Sequence, residues 1–138
     1  MASLRREIRL ARNPEDVWDA IQDVGSVHER LARGFAVDTT FERQPSARVV
    51  TFANGAVVRE LVVDVDHGRR RIAYTAVDGP LGSTHHNASF EALAEPGGGT
   101  LLVWVTDLLP DEVAPAVEGM MDQGVAAIHR TLDGVGVG

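Results

Sequence analysis

A chain of 138 residues fits one domain; with 44% hydrophobic and 24% charged residues it can bury a real core and an internal cavity. The formal net charge of −7 opposes a nucleic-acid partner, which needs a basic face to neutralise phosphates. Cysteine and lysine are both absent, and all 13 basic residues are arginine, which excludes disulfides, thiolate nucleophiles, cysteine-bound zinc, Schiff-base chemistry and a P-loop lysine.

Residues 3–12 alternate, with Leu4, Arg6, Ile8 and Leu10 on one side and Arg5, Glu7 and Arg9 on the other, as in a half-buried first strand. Asn13-Pro14-Glu15-Asp16 then reads as an N-cap, a proline in the first helical turn and two acids at the positive helix end. The helix turns Val17, Trp18 and Ile21 inward and breaks at Asp23-Val24-Gly25-Ser26. Ser26 is placed to cap a second short helix, "VHERLAR", which ends at Gly34.

Six strands follow, over 35–43, 47–53, 56–66, 70–78, 84–94 and 100–108. The breaks between them, "RQPS", "ANG", "DHG", "DGPLG" and "EPGGG", carry turn chemistry. Short strands joined by tight turns predict an antiparallel sheet. Over 111–133, Val113, Val117, Met120, Met121, Gly124, Ile128 and Leu132 recur near helical spacing and predict a long amphipathic helix. A curved seven-stranded sheet needs a cover on its concave face, and this helix is the one element long enough to supply it.

The element order resembles the START/Bet v 1-like (SRPBCC) superfamily, in particular its bacterial polyketide cyclase/dehydrase-like branch. The likeness is carried by "NPEDVWDAIQDVGSVHERL" at 13–31, "VRELVVDVDHGRRRIAY" at 58–74, "GGTLLVWVTD" at 98–107 and the closing helix. It implies the α+β helix-grip fold in a single domain over 1–138: a seven-stranded curved antiparallel sheet wrapped around a long C-terminal helix, with two short helices after the first strand. It further implies an elongated, apolar cavity that takes hydrophobic or amphipathic small molecules. Some members of the superfamily bind or transfer ligands; others cyclise, dehydrate or isomerise them. The stretch 58–74 is also similar to its counterpart in plant abscisic-acid receptors, where a glutamate on this strand and an aromatic on the next face the ligand. Those positions fall on Glu60 and Tyr74. The receptors' long gate loop is replaced here by "ANGA", and their cavity lysine has no equivalent.

Alternation decides some inward faces. On 84–92 the set His86, Ala88, Phe90 is more apolar than His85, Asn87, Ser89 and faces inward. Apolarity leaves 56–66 and 100–108 undecided, and there the resemblance selects Val58, Glu60 and Val62, and Trp104 and Thr106. It also selects Ile72, Tyr74 and Ala76 on 70–78. Val117, Met120, Met121 and Gly124 face the cavity from the long helix, joined by Trp18 and, near the mouth, His28. Both tryptophans also suit plain packing, and His28 suits a surface position.

Successive strand residues point to opposite faces, so His85 and His86 do not form a metal pair. None of His28, His67, His85, His86 and His129 shows the spacing of i,i+2 on a strand or i,i+4 on a helix. Neither a metal nor another cofactor is expected, and no serine sits in a Gly-x-Ser-x-Gly turn. Glu60 supports two readings. As a lone acid in an apolar cavity it would be costly to ionise and suited to general acid/base work beside His86, with Tyr74 donating to a substrate carbonyl. Alternatively, it pairs with an arginine or orients a ligand.

The expected function is binding of a hydrophobic or amphipathic small molecule between sheet and long helix. The alternatives are a cofactor-free cyclase, dehydratase or isomerase that uses Glu60 and His86, and a non-catalytic protein whose cavity is filled by Trp104, Phe90 and Met120. No apolar run reaches the roughly 18 residues of a membrane span. "MASLRREIRLARN" lacks the apolar core of a secretion signal, so a cytoplasmic location is expected. Both a monomer and a homodimer fit the sequence.

Overall fold

The computed structural model describes residues 2–134. Strands β1 (Ala2–Leu10), β2 (Ala36–Arg43), β3 (Ser46–Phe52), β4 (Val57–Asp66), β5 (Arg71–Asp78), β6 (His85–Ala94) and β7 (Thr100–Leu109) form one antiparallel sheet in the order β1-β7-β6-β5-β4-β3-β2. Helix α1 (Pro14–Gln22) follows β1, and helix α2 (Ala114–Asp133) closes the concave face. This is the helix-grip arrangement, with every strand within two residues of its expected bounds.

Local chemistry explains the differences. β1 stops at Leu10 because the Ala11 and Arg12 amides turn away to the Asp133 carboxylate at the end of α2, with Ala11 N 3.0 Å from Oδ2. Asn13 caps α1 as expected, its Oδ1 accepting from the Asp16 amide at 2.9 Å. The second short helix is a single π-helical turn, Val27–Leu31. Ser26 does not cap it through its side chain; its carbonyl accepts from the Glu29 and Arg30 amides instead. The last helical segment opens with a 3₁₀ turn, Asp111–Val113, before α2 begins. α2 ends where Gly134, at φ 63°, donates to the Arg130 carbonyl.

Register shifts bend the sheet. The β4–β5 ladder shifts at Arg59/Glu60, where Val77 of β5 is the extra residue, and again at Val62/Asp64, where Val63 of β4 is; β2 carries a shift near Val37. The interior divides in two. A large cluster packs α1 and the last turns of α2 against the sheet, through Ile8, Val17, Trp18, Ile21, Ile72, Leu102, Ile128 and Leu132. A smaller one, Leu4, Leu108, Val117 and Met121, holds the first half of α2. Trp104 packs against both, and a cavity opens beside it.

Candidate functional site

The β3–β4 hairpin sets up the site. Phe52 N–H donates to the Ala56 carbonyl at 2.8 Å across a turn in which Gly55 takes φ 89°. That closure places Val50 opposite Val58 and Arg48 opposite Glu60. Arg48 Nε then donates to Glu60 Oε1 at 2.8 Å, with both side chains more than nine-tenths buried. Arg48 Nη1 reaches the Val24 carbonyl behind α1 at 3.4 Å, and the guanidinium carbon lies 4.8 Å above the Tyr74 ring.

Tyr74, Phe90 and Trp104 stand on the neighbouring strands β5, β6 and β7. Their rings stack in sequence, with centroids 6.3 Å apart for Tyr74–Phe90 and 4.8 Å apart for Phe90–Trp104. Trp104 Nε1 donates to the Tyr74 hydroxyl at 3.1 Å. That hydroxyl keeps its own proton free to donate. Burial first, and then the negative Glu60, push the Tyr74 phenol far above its ordinary range, so it stays protonated. His86 is pushed the other way: burial lowers it, His85 adds to the lowering, and Glu60 opposes it. Its imidazole is therefore neutral at pH 7, with one ring nitrogen a donor and the other an acceptor.

These groups border a cavity of about 310 Å³ between the inner sheet face and α2. Of the residues expected there, Val58, Glu60, Tyr74, His86, Phe90, Trp104, Thr106, Val117, Met120, Met121 and Gly124 line it together. Trp18, His28, Val62, Ile72 and Ala88 do not. Trp18 is sealed in the large cluster, its Nε1 donating to His67 Nδ1 at 3.1 Å. His28 turns to β2, with Nδ1 3.0 Å from Thr39 Oγ1 and Nε2 3.2 Å from Glu29. Val62 and Ile72 pack into the large cluster. Ala88, in register between Tyr74 and Thr106, is too short to extend past them. His85 points to the outside, away from His86.

Sequence reasoning missed Arg48, together with Leu31, Phe35, Val50, Phe52, Val77 and Asp78 at the end of β5 and the β5–β6 loop residues 79–81 and 83, which also line the cavity. A signal for Arg48 existed. A hairpin centred on Asn54 pairs positions that sum to 108, and the partner of Glu60 is then Arg48. Among the described residues no three His, Asp or Glu side chains converge as a metal site, and no helix is long and apolar enough to cross a membrane.

A family model described as "Polyketide cyclase / dehydrase and lipid transport" matches residues 1–133. No curated protein matches the chain. Among solved structures, a protein of Thermobifida fusca is 28% identical with TM-score 0.75, over 94% of this chain and 88% of that one. The Zhui aromatase/cyclase from Streptomyces sp. R1128 is 17% identical with TM-score 0.78, over 96% and 92%. A norcoclaurine synthase point mutant from Thalictrum flavum, in complex with a transition-state analogue, is 18% identical with TM-score 0.71, over 95% and 93%.

Proposed function

The chain belongs to the polyketide cyclase/dehydrase and lipid transport family, and on that premise we propose that it binds a hydrophobic or amphipathic small molecule in the cavity beneath α2. The observation that carries this reading is an apolar hollow, walled by the Phe90–Trp104 stack and the methionines of α2, with a buried ion pair on one side. Its volume lies at the small end of the roughly 300–1,000 Å³ typical of ligand sites. The aromatic stack offers a flat wall to a planar ligand, and Met120 and Met121 offer pliable surface. Arg48, Glu60, Tyr74 and His86 would orient the ligand's polar end.

Native mass spectrometry of protein purified from its own host tests this directly. A bound small molecule that dissociates from the parent and is lost when Phe90 or Val58 is replaced by a charged residue supports the reading. Failure both to retain a ligand and to bind naphthalene-sized probes would sink it.

A second reading is a cofactor-free cyclase, dehydratase or isomerase. It is favoured by two groups of opposite function on one cavity: the Glu60 carboxylate as proton acceptor and the neutral His86 ring as proton carrier, with the Tyr74 hydroxyl toward a substrate carbonyl. Names of similar proteins point the same way, Zhui being an aromatase/cyclase. Glu60→Gln measured on the true ligand separates the two readings. Turnover lost with affinity retained establishes catalysis; a ligand that is never transformed by the parent rejects it.

A further inference from the structure

The valences of the buried pair are not all used. Arg48 spends Nε on Glu60 and Nη1 on Val24, and Glu60 accepts through Oε1. Arg48 Nη2 and Glu60 Oε2 make no hydrogen bond to any described residue. Among the described residues no side-chain nitrogen or oxygen is both fully buried and unpartnered, so these two atoms reach open space. For two residues that line the cavity and are otherwise covered, that space is the cavity. The cavity wall thus presents an N–H donor and a carboxylate acceptor side by side, with the Tyr74 hydroxyl as a second donor nearby.

Charge narrows the occupant further. Arg48 is the single arginine on the cavity wall, and Glu60 already neutralises it; Asp78 at the exposed rim is the other charged lining residue. A carboxylate entering here would meet Glu60 at close range with no free cation to balance it. An ammonium would displace Arg48 from its partner and leave a guanidinium stranded.

We propose that the cavity selects a ligand whose buried head is electrically neutral and carries a hydroxyl beside a carbonyl, the hydroxyl donating to Glu60 Oε2 and the carbonyl accepting from Arg48 Nη2. This rests on the cavity-binding reading above and adds the chemical class of the head. Arg48 is the specificity-determining residue, because without it Glu60 would be a lone charge open to cations.

Four probes on one naphthalene scaffold test it by quenching of tryptophan fluorescence at pH 7: 2-acetylnaphthalene, 2-(hydroxyacetyl)naphthalene, 2-naphthoate and 2-naphthylmethylammonium. The hydroxyacetyl probe is expected to bind about ten- to a hundredfold tighter than the acetyl probe, the factor for a hydrogen bond to a charged group. Both charged probes are expected to bind more weakly than the acetyl probe. In the double variant Arg48→Met, Glu60→Leu the hydroxyl preference should vanish while the acetyl probe still binds. Equal affinity of the two ketones, a charged probe that matches or exceeds the hydroxyacetyl compound, or a preference that survives in a folded double variant overturns this proposal and leaves cavity binding standing. Failure of all four probes to bind the parent overturns both. The parental series decides the matter even if the double variant does not fold.

Discussion

Burying Arg48 and Glu60 together is tolerable only because each answers the other. Removing two charges from water costs several kcal/mol per ion, and the contact at 2.8 Å, the Val24 carbonyl and the Tyr74 ring offset that cost. Removing one partner should therefore be worse than removing both. Glu60→Leu is expected to lose about 3–5 kcal/mol in urea unfolding, while Arg48→Met with Glu60→Leu stays within about 1 kcal/mol of the parent or exceeds it. Additive losses in that cycle would mean the two side chains do not couple. His86 supplies a pH signature. Its folded state holds the proton less tightly than the unfolded chain, because burial disfavours the imidazolium. Stability is then full above the ordinary histidine value, about 6.5, and declines as pH falls through that value toward the depressed one. His86→Asn should flatten this decline between about pH 7 and pH 5 relative to the parent; an unchanged slope would assign it elsewhere.

At the scale of elements, the contact between α2 and β7 turns on one missing methyl group. A Cβ at Gly124 would lie 2.8 and 2.9 Å from the Trp104 ring, which is itself stacked on Phe90. Gly119, on the same helix, would meet nothing within 4 Å. Two identical substitutions should thus act in opposite directions. Gly119→Ala is expected to stabilise by about 0.5–1 kcal/mol through helix propensity. Gly124→Ala should destabilise by about 1–3 kcal/mol and shift the tryptophan emission as the indole is driven toward the cavity. Equal effects at the two sites would mean that α2 is free to move off the sheet. β4 shows why faces were harder to read than elements. Val57 through Val63 is apolar on both sides, so alternation carries no sign there. The register shift at Val62/Asp64 then turns the inward set from even to odd, bringing Val65 into the core beside Val62. On β6, with no such shift, the polarity of the alternation fixed His86 and Phe90 inward without help.

For the whole molecule, strand positions and the covering helix were legible because turn residues punctuate the chain at every hairpin and α2 has helical periodicity; where the cavity ends was not, because that depends on how two packed clusters are spaced. Ile72 and Trp18 belong to the closed end, where α1 and the last turns of α2 fill the sheet's concavity. Met120, Phe90 and Trp104 border the cavity. Such a division predicts an uneven response to truncation. Ile72 is fully buried among packed neighbours, so Ile72→Ala leaves a new void and should cost about 2–5 kcal/mol. Met120 is half-buried against space that already exists, so Met120→Ala enlarges a cavity instead of making one and should cost about 1 kcal/mol or less. Ligand then reverses the order of importance. A molecule that fills the cavity adds stability by mass action in the parent, and Met120→Ala should lose part of that increment while Ile72→Ala keeps it. Thermal unfolding of the three proteins with and without the tightest naphthalene probe reads both effects at once. Comparable losses at Ile72 and Met120 in the absence of probe would mean that no open volume separates the sheet from the middle of α2.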